Sequence, residues 1–591
     1  MPMNTEWQQV TVLPPAPGPG RPLLTAAACL GFFLATGCRP AAVPPPAGPP
    51  SPPWFADVTS EVGLDFVHDA GPTGEFKMWQ TVGSGAAVFD FDGDGRLDIY
   101  LLNNGGPKGL PNRLYRQTTD GRFVDASAGS GLDVAGYCMG AAVGDVDNDG
   151  RPDLLVTEYG WLRLFLNRGE GKFADVTRAA GLDSTQWGTS AAFFDYDRDG
   201  WLDLVVANYA QYDPSWPCFH PGGHRDYCTP THFPEAAPKL WRNCGRSAAG
   251  GVRFEDVTLR SGLGRVTCYG LGVICADFDG DHWPDVFVAS DQRPNRLFLN
   301  RRDGTFEEKG LLRGVAVNSQ GRLQANMGVA IGDVNGDGLF DLFVTHLTDE
   351  TNALWVQKPR GWFRDQTTAA GLTTPTWPGT GWGTVLADFD HDGDDDLALV
   401  NGRVMRAKEP QPGFTDPWGW YAERNQLFAN DGAGRFRDVS PDNATFCGTP
   451  GVCRGLAYGD FDGDGALDLL VTAVAGPAKL YRNTAPKHGH WLRLRVLEPA
   501  WKRDANGAEV TVRAGGRSWT RWLNPGSSYL CSNEPWLHFG LGQAARADGI
   551  RVRWPDGTTE EFPGQDADQV VVVRRGEGTR SGEGGTHRAA P

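Results

Sequence analysis

Short runs rich in glycine, alanine and valine recur along the chain, each followed by a polar turn and then by a strongly apolar run. GSGAAVF (83–89), MGAAVG (139–144), GTSAAFF (188–194), GLGVICA (270–276), MGVAIG (327–332), GWGTVLA (381–387) and RGLAYG (454–459) open seven such units. The apolar runs after the turns, such as LDIYLLNN (97–104) and LDLLVTAV (467–474), have the composition of buried strands. A short amphipathic piece comes next: RLYRQ (113–117), RLFLN (163–167), KLWRN (239–243), RLFLN (296–300), ALWVQ (353–357), QLFAN (426–430) and KLYRN (479–483). A last piece such as FADVT (173–177) or FEDVT (254–258) closes the unit. Four short strands separated by turn residues predict the blade of a β-propeller.

The phase of the repeat predicts how the ring closes. FADVT at 55–59 precedes the first unit with no amphipathic piece before it, and KLYRN at 479–483 ends the series with no FADVT-like strand after it. The N-terminal strand can therefore complete the last blade, which removes the two open sheet edges of a linear array. The expected fold is all-β, with a seven-bladed propeller over 54–485. Residues 486–575 follow it, where HWLRLRVLE alternates and IRVRWPDGTTEEF reads as strand, turn, strand. They predict a small β-sandwich-like domain packed near one end of the ring.

The polar turns carry the chemistry. They start at 90, 145, 195, 277, 333, 388 and 460, separated by 55, 50, 82, 56, 55 and 72 residues. Each places side-chain oxygens at positions 1, 3, 5 and 9 of a nine-residue loop. These are Asp90, Asp92, Asp94 and Asp98 in the first and Asp145, Asp147, Asp149 and Asp153 in the second. The third has Asp195, Asp197, Asp199 and Asp203, and the fourth Asp277, Asp279, Asp281 and Asp285. Asp333, Asn335, Asp337 and Asp341 form the fifth, and Asp388, Asp390, Asp392 and Asp396 the sixth. Asp460, Asp462, Asp464 and Asp468 form the seventh. Carboxylates this close repel unless a cation lies between them. All-oxygen donor sets in a flexible loop suit Ca²⁺ better than Mg²⁺, and glycine at position 6 permits the sharp turn. Up to seven structural Ca²⁺ sites are expected, the fourth weaker because His282 replaces that glycine. Turn preference alone would account for one such loop, but not for seven at the same offsets.

These repeats resemble the FG-GAP/VCBS family, whose members form calcium-binding propellers like the integrin α-subunit head. DANGAEVTV (504–512), NPGSSYLCSNEPWLHFGLG (524–542) and VRWPDG (552–557) resemble the ASPIC/UnbV domain, which follows FG-GAP repeats in the cartilage acidic protein family. The resemblance implies an extracytoplasmic protein with a calcium-binding propeller.

Residues 1–38 read as an export signal. Arg21 precedes the apolar PLLTAAACLGFFLATGC, which is short for a membrane span. LATGC resembles a bacterial lipobox, which makes Cys38 a lipidation candidate; an ordinary secretory signal is the alternative. Residues 39–53 are a proline-rich spacer, and 576–591 an expected disordered tail. The net charge of −17 argues against nucleic acid or an anionic membrane surface as the main partner. Seven divalent cations would offset most of it.

Of 11 cysteines, nine lie beyond the signal. In an exported chain Cys218–Cys228 and Cys447–Cys453 are disulfide candidates. The cluster of Cys218, His220, His224, Cys228 and His232 matches no familiar zinc spacing. Cys268 and Cys275 are either two buried thiols or partners in a bridge elsewhere.

The long repeat intervals locate insertions at 209–238 and 401–424, which should emerge on one face. Their Tyr209, Tyr212, Trp216, Trp418, Trp420 and Tyr421 either only pack the insertions down or could stack on sugars or peptide side chains. The sequence has no nucleophile elbow, no Ser–His–Asp or Cys–His set and no phosphate-binding loop. The reading that follows is a non-enzymatic binding or adhesion module for an extracytoplasmic protein or polysaccharide. The alternatives are a structural part of an envelope assembly docking through the ASPIC/UnbV domain, or a propeller hydrolase or lyase.

Overall fold

A computed structural model describes residues 52–580 except 221, 247–250 and 415–416. The signal and Cys38 lie outside the described residues. Seven four-stranded antiparallel sheets follow the seven units. In blade 2 the strands are Cys138–Gly144, Asp153–Glu158, Leu162–Asn167 and Phe173–Asp175, from the inside outwards. The innermost strand of each blade packs against that of the next, and blade 7 packs against blade 1. Glycine and alanine dominate these inner strands because seven must meet around one axis. At Gly328 an added Cβ would sit 1.9 Å from Trp382 O, and at Gly272 2.5 Å from Met327 O.

The outer strand of blade 7 is the N-terminal Phe55–Asp57, paired antiparallel with Lys479–Asn483 in the register Phe55↔Asn483 to Asp57↔Tyr481. This pairing closes the array of repeats into a ring. Apolar layers between neighbouring blades hold the sheets face to face.

The C-terminal domain is a sandwich. One sheet is built on His490–Glu498, Leu537–Gly542 and Gln569–Arg574, and the other on Glu509–Ala514, Arg517–Trp522, Gly549–Arg553 and Thr559–Pro563. Leu492, Leu494, Val510, Val512, Phe539 and Ile550 fill the space between them. The tail expectation needs correcting. Thr579–Arg580 pairs with Glu560 and Glu561, so ordered chain continues to 580.

The segment between these sheets leaves the domain and enters the ring along its axis. Cys531–Ser532 runs parallel to Ala86–Ala87 of blade 1. Ser528 exchanges backbone hydrogen bonds with Val329 of blade 5. Ala141 of blade 2 donates to Leu530 O, and Leu530 N–H donates to Ser190 Oγ of blade 3. Thr384 N–H of blade 6 reaches Ser528 Oγ, and Tyr458 N–H of blade 7 reaches Asn533 Oδ1. The tip residue Tyr529 is fully buried, with its hydroxyl donating to Val82 O at 2.9 Å and its ring 4.8 Å from that of Trp382. Below it Arg454 is also fully buried, donating to carbonyls of Gly402, Cys453 and Arg403. The axial channel is filled by the chain itself.

Both insertions emerge on the face opposite the Asp loops and meet there. Tyr421 Oη donates to Asp226 Oδ1 at 2.6 Å, and Tyr227 stacks on Trp418. Cys218 and Cys228 are bonded, closing a hairpin in the first insertion. Cys447 and Cys453 are not: both are free thiols buried in the apolar layer between blades 6 and 7. Cys268 and Cys275 are buried free thiols. The insertion aromatics mostly pack inward. Tyr209, Tyr212, Trp418 and Tyr421 are buried, Trp420 is half-buried, and Trp216 is 55 % exposed.

His68 fixes the segment leading into blade 1. It is buried, its Nδ1 accepts the Ala475 N–H at 3.1 Å, and its Nε2 has no partner. Burial pushes its pKa down to about 3. The unfolded chain takes up this proton near pH 6.5 and the folded chain does not, so stability from His68 is complete above pH 6.5 and falls as the pH drops towards 3. His68→Asn keeps an acceptor for Ala475. Urea denaturation between pH 6.5 and 5 should show the wild type losing about 1.4 kcal/mol per pH unit relative to the variant; parallel pH dependences would contradict this.

Candidate metal centres and the covered loop face

Each Asp loop joins the inner strand of a blade to its second strand, and three carboxylate roles repeat around the ring. The position-9 carboxylate opens the second strand and accepts two backbone N–H groups, one from position 2 and one from the third strand. For Asp98 these come from Phe91 and Gln117, and for Asp468 from Phe461 and Asn483. Asp153, Asp203, Asp285, Asp341 and Asp396 repeat both bonds. The position-1 carboxylate accepts N–H groups of the turn itself: Asp90 takes those of Gly93, Asp94 and Gly95. The position-5 carboxylate caps position 7, as Asp94 does for Arg96.

The turn needs left-handed backbone twice. Position 6 does so throughout, from Gly95 at φ 85° to Gly465 at 89°, with His282 at 77° in the fourth loop. Position 4 does so as well, including Asn148, Arg198 and His391. That second requirement was readable only in part, because glycine fills position 4 in four loops and larger residues in three.

The donor sets fit a cation. In at least five loops, oxygens of three carboxylates lie within 4.8 Å of one another: Asp90, Asp92 and Asp98; Asp145, Asp147 and Asp153; Asp195, Asp197 and Asp199; Asp277, Asp279 and Asp285; Asp388, Asp390 and Asp396. The position-3 oxygens Asp92 Oδ1, Asp147 Oδ1 and Asp197 Oδ1 are buried without a hydrogen-bond donor. Burial pushes Asp98 and Asp341 up to about 8 and Asp195 to about 7, although backbone donors oppose it. Carboxylates so placed need positive charge. The fifth loop, with Asn335, and the seventh keep the same backbone scaffold.

Arginines pair with carboxylates at positions 3 and 5 of several loops, and at two loops a protein cation reaches the position-1 carboxylate. At the fourth, burial raises Asp277, but the hydrogen bond from His282 and the charge of Arg553 outweigh it. Asp277 is the one position-1 carboxylate whose pKa is lowered. At the seventh, Arg493 bridges Asp460 and the buried Glu534.

Both arginines belong to the C-terminal domain, which lies on the loop tips. Trp519 Nε1 donates to Gly393 O at 2.6 Å, and Arg503 reaches Asn148 Oδ1 and Gly200 O. A Cβ at Gly465 would strike Trp491 at 2.0 Å, and one at Gly200 would strike Trp501 at 2.2 Å. Loops 2, 3, 4, 6 and 7 are covered in this way, whereas Gly95 and Gly338 in loops 1 and 5 have nothing within 4 Å.

A further device escaped the sequence reading although its residues were in view. In six blades the Asn or Gln ending the third strand reaches the loop of the preceding blade. Asn167 Nδ2 donates to Phe91 O, Asn243 to Val146 O, Asn300 to Tyr196 O, and Gln117 closes the ring at Phe461 O. Gln357 instead bonds Phe340 of its own loop.

Comparison with known proteins agrees with this architecture. The FG-GAP-like repeat family matches residues 90–156, 145–206, 277–344, 333–399 and 413–471, and the ASPIC and UnbV family matches 499–580. Human cartilage acidic protein 1 is 29 % identical over 338 residues, 55 % of this chain and 46 % of the relative. The Xenopus tropicalis protein of that name is 27 % identical over 537 residues, 86 % of this chain and 74 % of the relative. The match thus spans about half the length of the human relative. Among solved structures, an Agrocybe aegerita lectin that recognises non-reducing terminal N-acetylglucosamine has a TM-score of 0.36 at 16 % identity, covering 60 % of this chain and 79 % of the lectin. PorZ, a surface component of the type-IX secretion system of Porphyromonas gingivalis, has a TM-score of 0.36 at 12 % identity, covering 85 % and 60 %. At those scores neither structure informs the reading of this chain. No described helix is long and apolar enough to cross a membrane. With its repeats spanning the ring and its C-terminal domain seated on their loops, the chain belongs to the FG-GAP-like repeat family and carries an ASPIC and UnbV domain.

Proposed function

We propose that the protein is an exported recognition module whose loops hold Ca²⁺ for structural reasons and whose free face binds an extracytoplasmic protein. The observation that carries this is the division of its surface. The channel is filled by residues 526–532, five loop tips lie under the C-terminal domain, and the opposite face presents the joined insertions. There the disulfide-closed hairpin exposes Trp216 and Phe219, the latter 60 % exposed, and the second insertion exposes Met405 and Phe414. Exposed aromatic side chains on a braced loop supply contact area at low entropic cost. The Cys218–Cys228 bond supports export. The filled channel supports a non-enzymatic reading.

The test is capture of envelope proteins and polysaccharides on the immobilised chain in Ca²⁺. A protein partner retained by the wild type and lost with Trp216→Ser or Phe219→Ser is the expected result. Both positions are exposed, so the variants should fold. Equal capture by the variants, or none by the wild type, would remove the insertions as the binding face.

A further inference from the structure

A cleft of about 1060 Å³ separates the C-terminal domain from the loops of blades 7, 1 and 2. That volume is at the upper end for small-ligand sites, and a domain boundary is a common place for one. Its domain-side wall is set by strand alternation. Leu492, Leu494 and Val496 point into the domain core, so Arg493 and Arg495 point the other way. The parallel register places Val570 beside Arg493 and Val572 beside Arg495. Val570 is 42 % exposed. The partly exposed Trp536 completes the strip, with the guanidinium carbons of Arg493 and Arg495 at 4.9 and 5.7 Å from its ring centroid.

The cations of the cleft are unequally neutralised. Arg493 is held by Asp460 and Glu534. Arg495 spends its Nε on Asp504 at 3.0 Å and remains 40 % exposed in its side chain. Arg503 is 7 % exposed, yet donates only to uncharged oxygens: Asn148 Oδ1 at 2.9 Å, Gly200 O at 3.2 Å and the Asp504 carbonyl at 3.4 Å. The carboxylates of Asp195, Asp145, Glu498 and Asp504 balance its charge through space without contacting it, and a guanidinium without a direct carboxylate partner can still pair with an anion. Lys502 beside it is exposed and lines the same cleft. The far wall carries loop carboxylates, among them Asp90, Asp145, Asp460 and Asp462, which loop-bound Ca²⁺ would neutralise; the domain-side cations, separated by aromatic and aliphatic surface, then form a local site for an anion that also carries flat rings.

We propose that this cleft binds a carboxylate-bearing oligosaccharide, its sugar rings lying on Trp536 and Val570 and its carboxylates meeting Arg495, Lys502 and Arg503. Pyranose faces stack on aromatic surface, and guanidinium groups pair with carboxylates. A sugar is favoured over an acidic peptide because the apolar strip between the cations gives the rings a surface, whereas an acidic peptide draws mainly on the charges. The site lies on the side of the ring opposite the insertions, so it stands or falls independently of the face proposed above.

Calorimetric titration of the full chain in Ca²⁺ tests the proposal, with a short oligogalacturonate as the probe. Neutral malto-oligosaccharide and polyglutamate serve as comparisons. Oligogalacturonate should bind, with affinity falling about tenfold or more in Lys502→Glu and in Arg503→Gln, and unchanged in Phe219→Ser. Lys502 is exposed, so that variant keeps the test valid if Arg503→Gln fails to fold. The proposal is overturned by the absence of oligogalacturonate binding or by equal binding of the neutral sugar. Equally tight binding of polyglutamate, or an affinity that Lys502→Glu leaves untouched, would overturn it too.

Discussion

Removing divalent cations with a chelator should lower the melting temperature by about 10 °C or more and expose residues 524–535 to hydrogen exchange. A ligand bound only to the folded state at a hundred times its Kd contributes about 2.7 kcal/mol, and several loops present the same donor set. Without cations, each loop holds three or four carboxylates together against their repulsion. The covered tips of loops 2, 3, 4, 6 and 7 are the surface on which the C-terminal domain rests. Loosening them should therefore loosen the axial segment, which also meets loop 7 directly, where Glu534 accepts the Asp460 N–H. Restoring Ca²⁺ should reverse both effects, and Mg²⁺ should do so less well, since it prefers a stricter octahedron and more water. An unchanged melting curve and unchanged exchange at 524–535 on chelation would refute cation loading and the coupling together. A lower melting temperature with protected 524–535 would refute the coupling alone.

Tyr529→Ala should cost about 3–5 kcal/mol, measured by urea denaturation in saturating Ca²⁺. The side chain is fully buried at the tip of the axial segment, in the aromatic layer formed by Trp79, Trp187, Tyr209, Tyr212 and Trp382. Truncation would leave a cavity where seven blades converge, with little freedom to collapse, since the inner strands are already at closest approach. Tyr529→Phe keeps the packing and loses only the bond to Val82 O, so about 1 kcal/mol is expected. The ratio of the two separates packing from hydrogen bonding. A loss below about 1 kcal/mol for Tyr529→Ala would mean that the axial segment does not hold the ring together.

Repetition made the ring legible. Each blade is a local hairpin pattern with its own turn chemistry, so seven weak signals reinforced one another, and their phase revealed the pairing of 55–57 with 479–483. The loops were legible for the same reason. NPGSSYLCSNEP (524–535) was not, because proline, glycine, serine and asparagine read as an ordinary surface turn. Its partners, from Ala86 to Tyr458, are set by tertiary placement alone. The seat of the C-terminal domain on the Asp loops was hidden likewise, since Arg493, Arg517 and Arg553 stand in strands whose alternation gives a face but no partner. For Tyr209, Tyr212 and Tyr421 the sequence left packing and recognition both open, and burial decides for packing. They anchor the insertions, because a long loop must bury some apolar surface to be held in place.

The joining of residues 55–57 to 479–483 has a consequence for how the protein is made. The first strand to emerge is needed by the last blade, more than 400 residues later (Lys479 and Asp57 are 422 apart), and the axial segment arrives later still. Until then the growing array exposes an unpaired edge at each end and an empty centre lined by apolar side chains, both of which invite association between chains. Contacts of such long range close slowly. Maturation should therefore be a late and concerted event, in which truncated chains ending before about residue 530 accumulate as sticky, protease-sensitive intermediates instead of smaller stable rings.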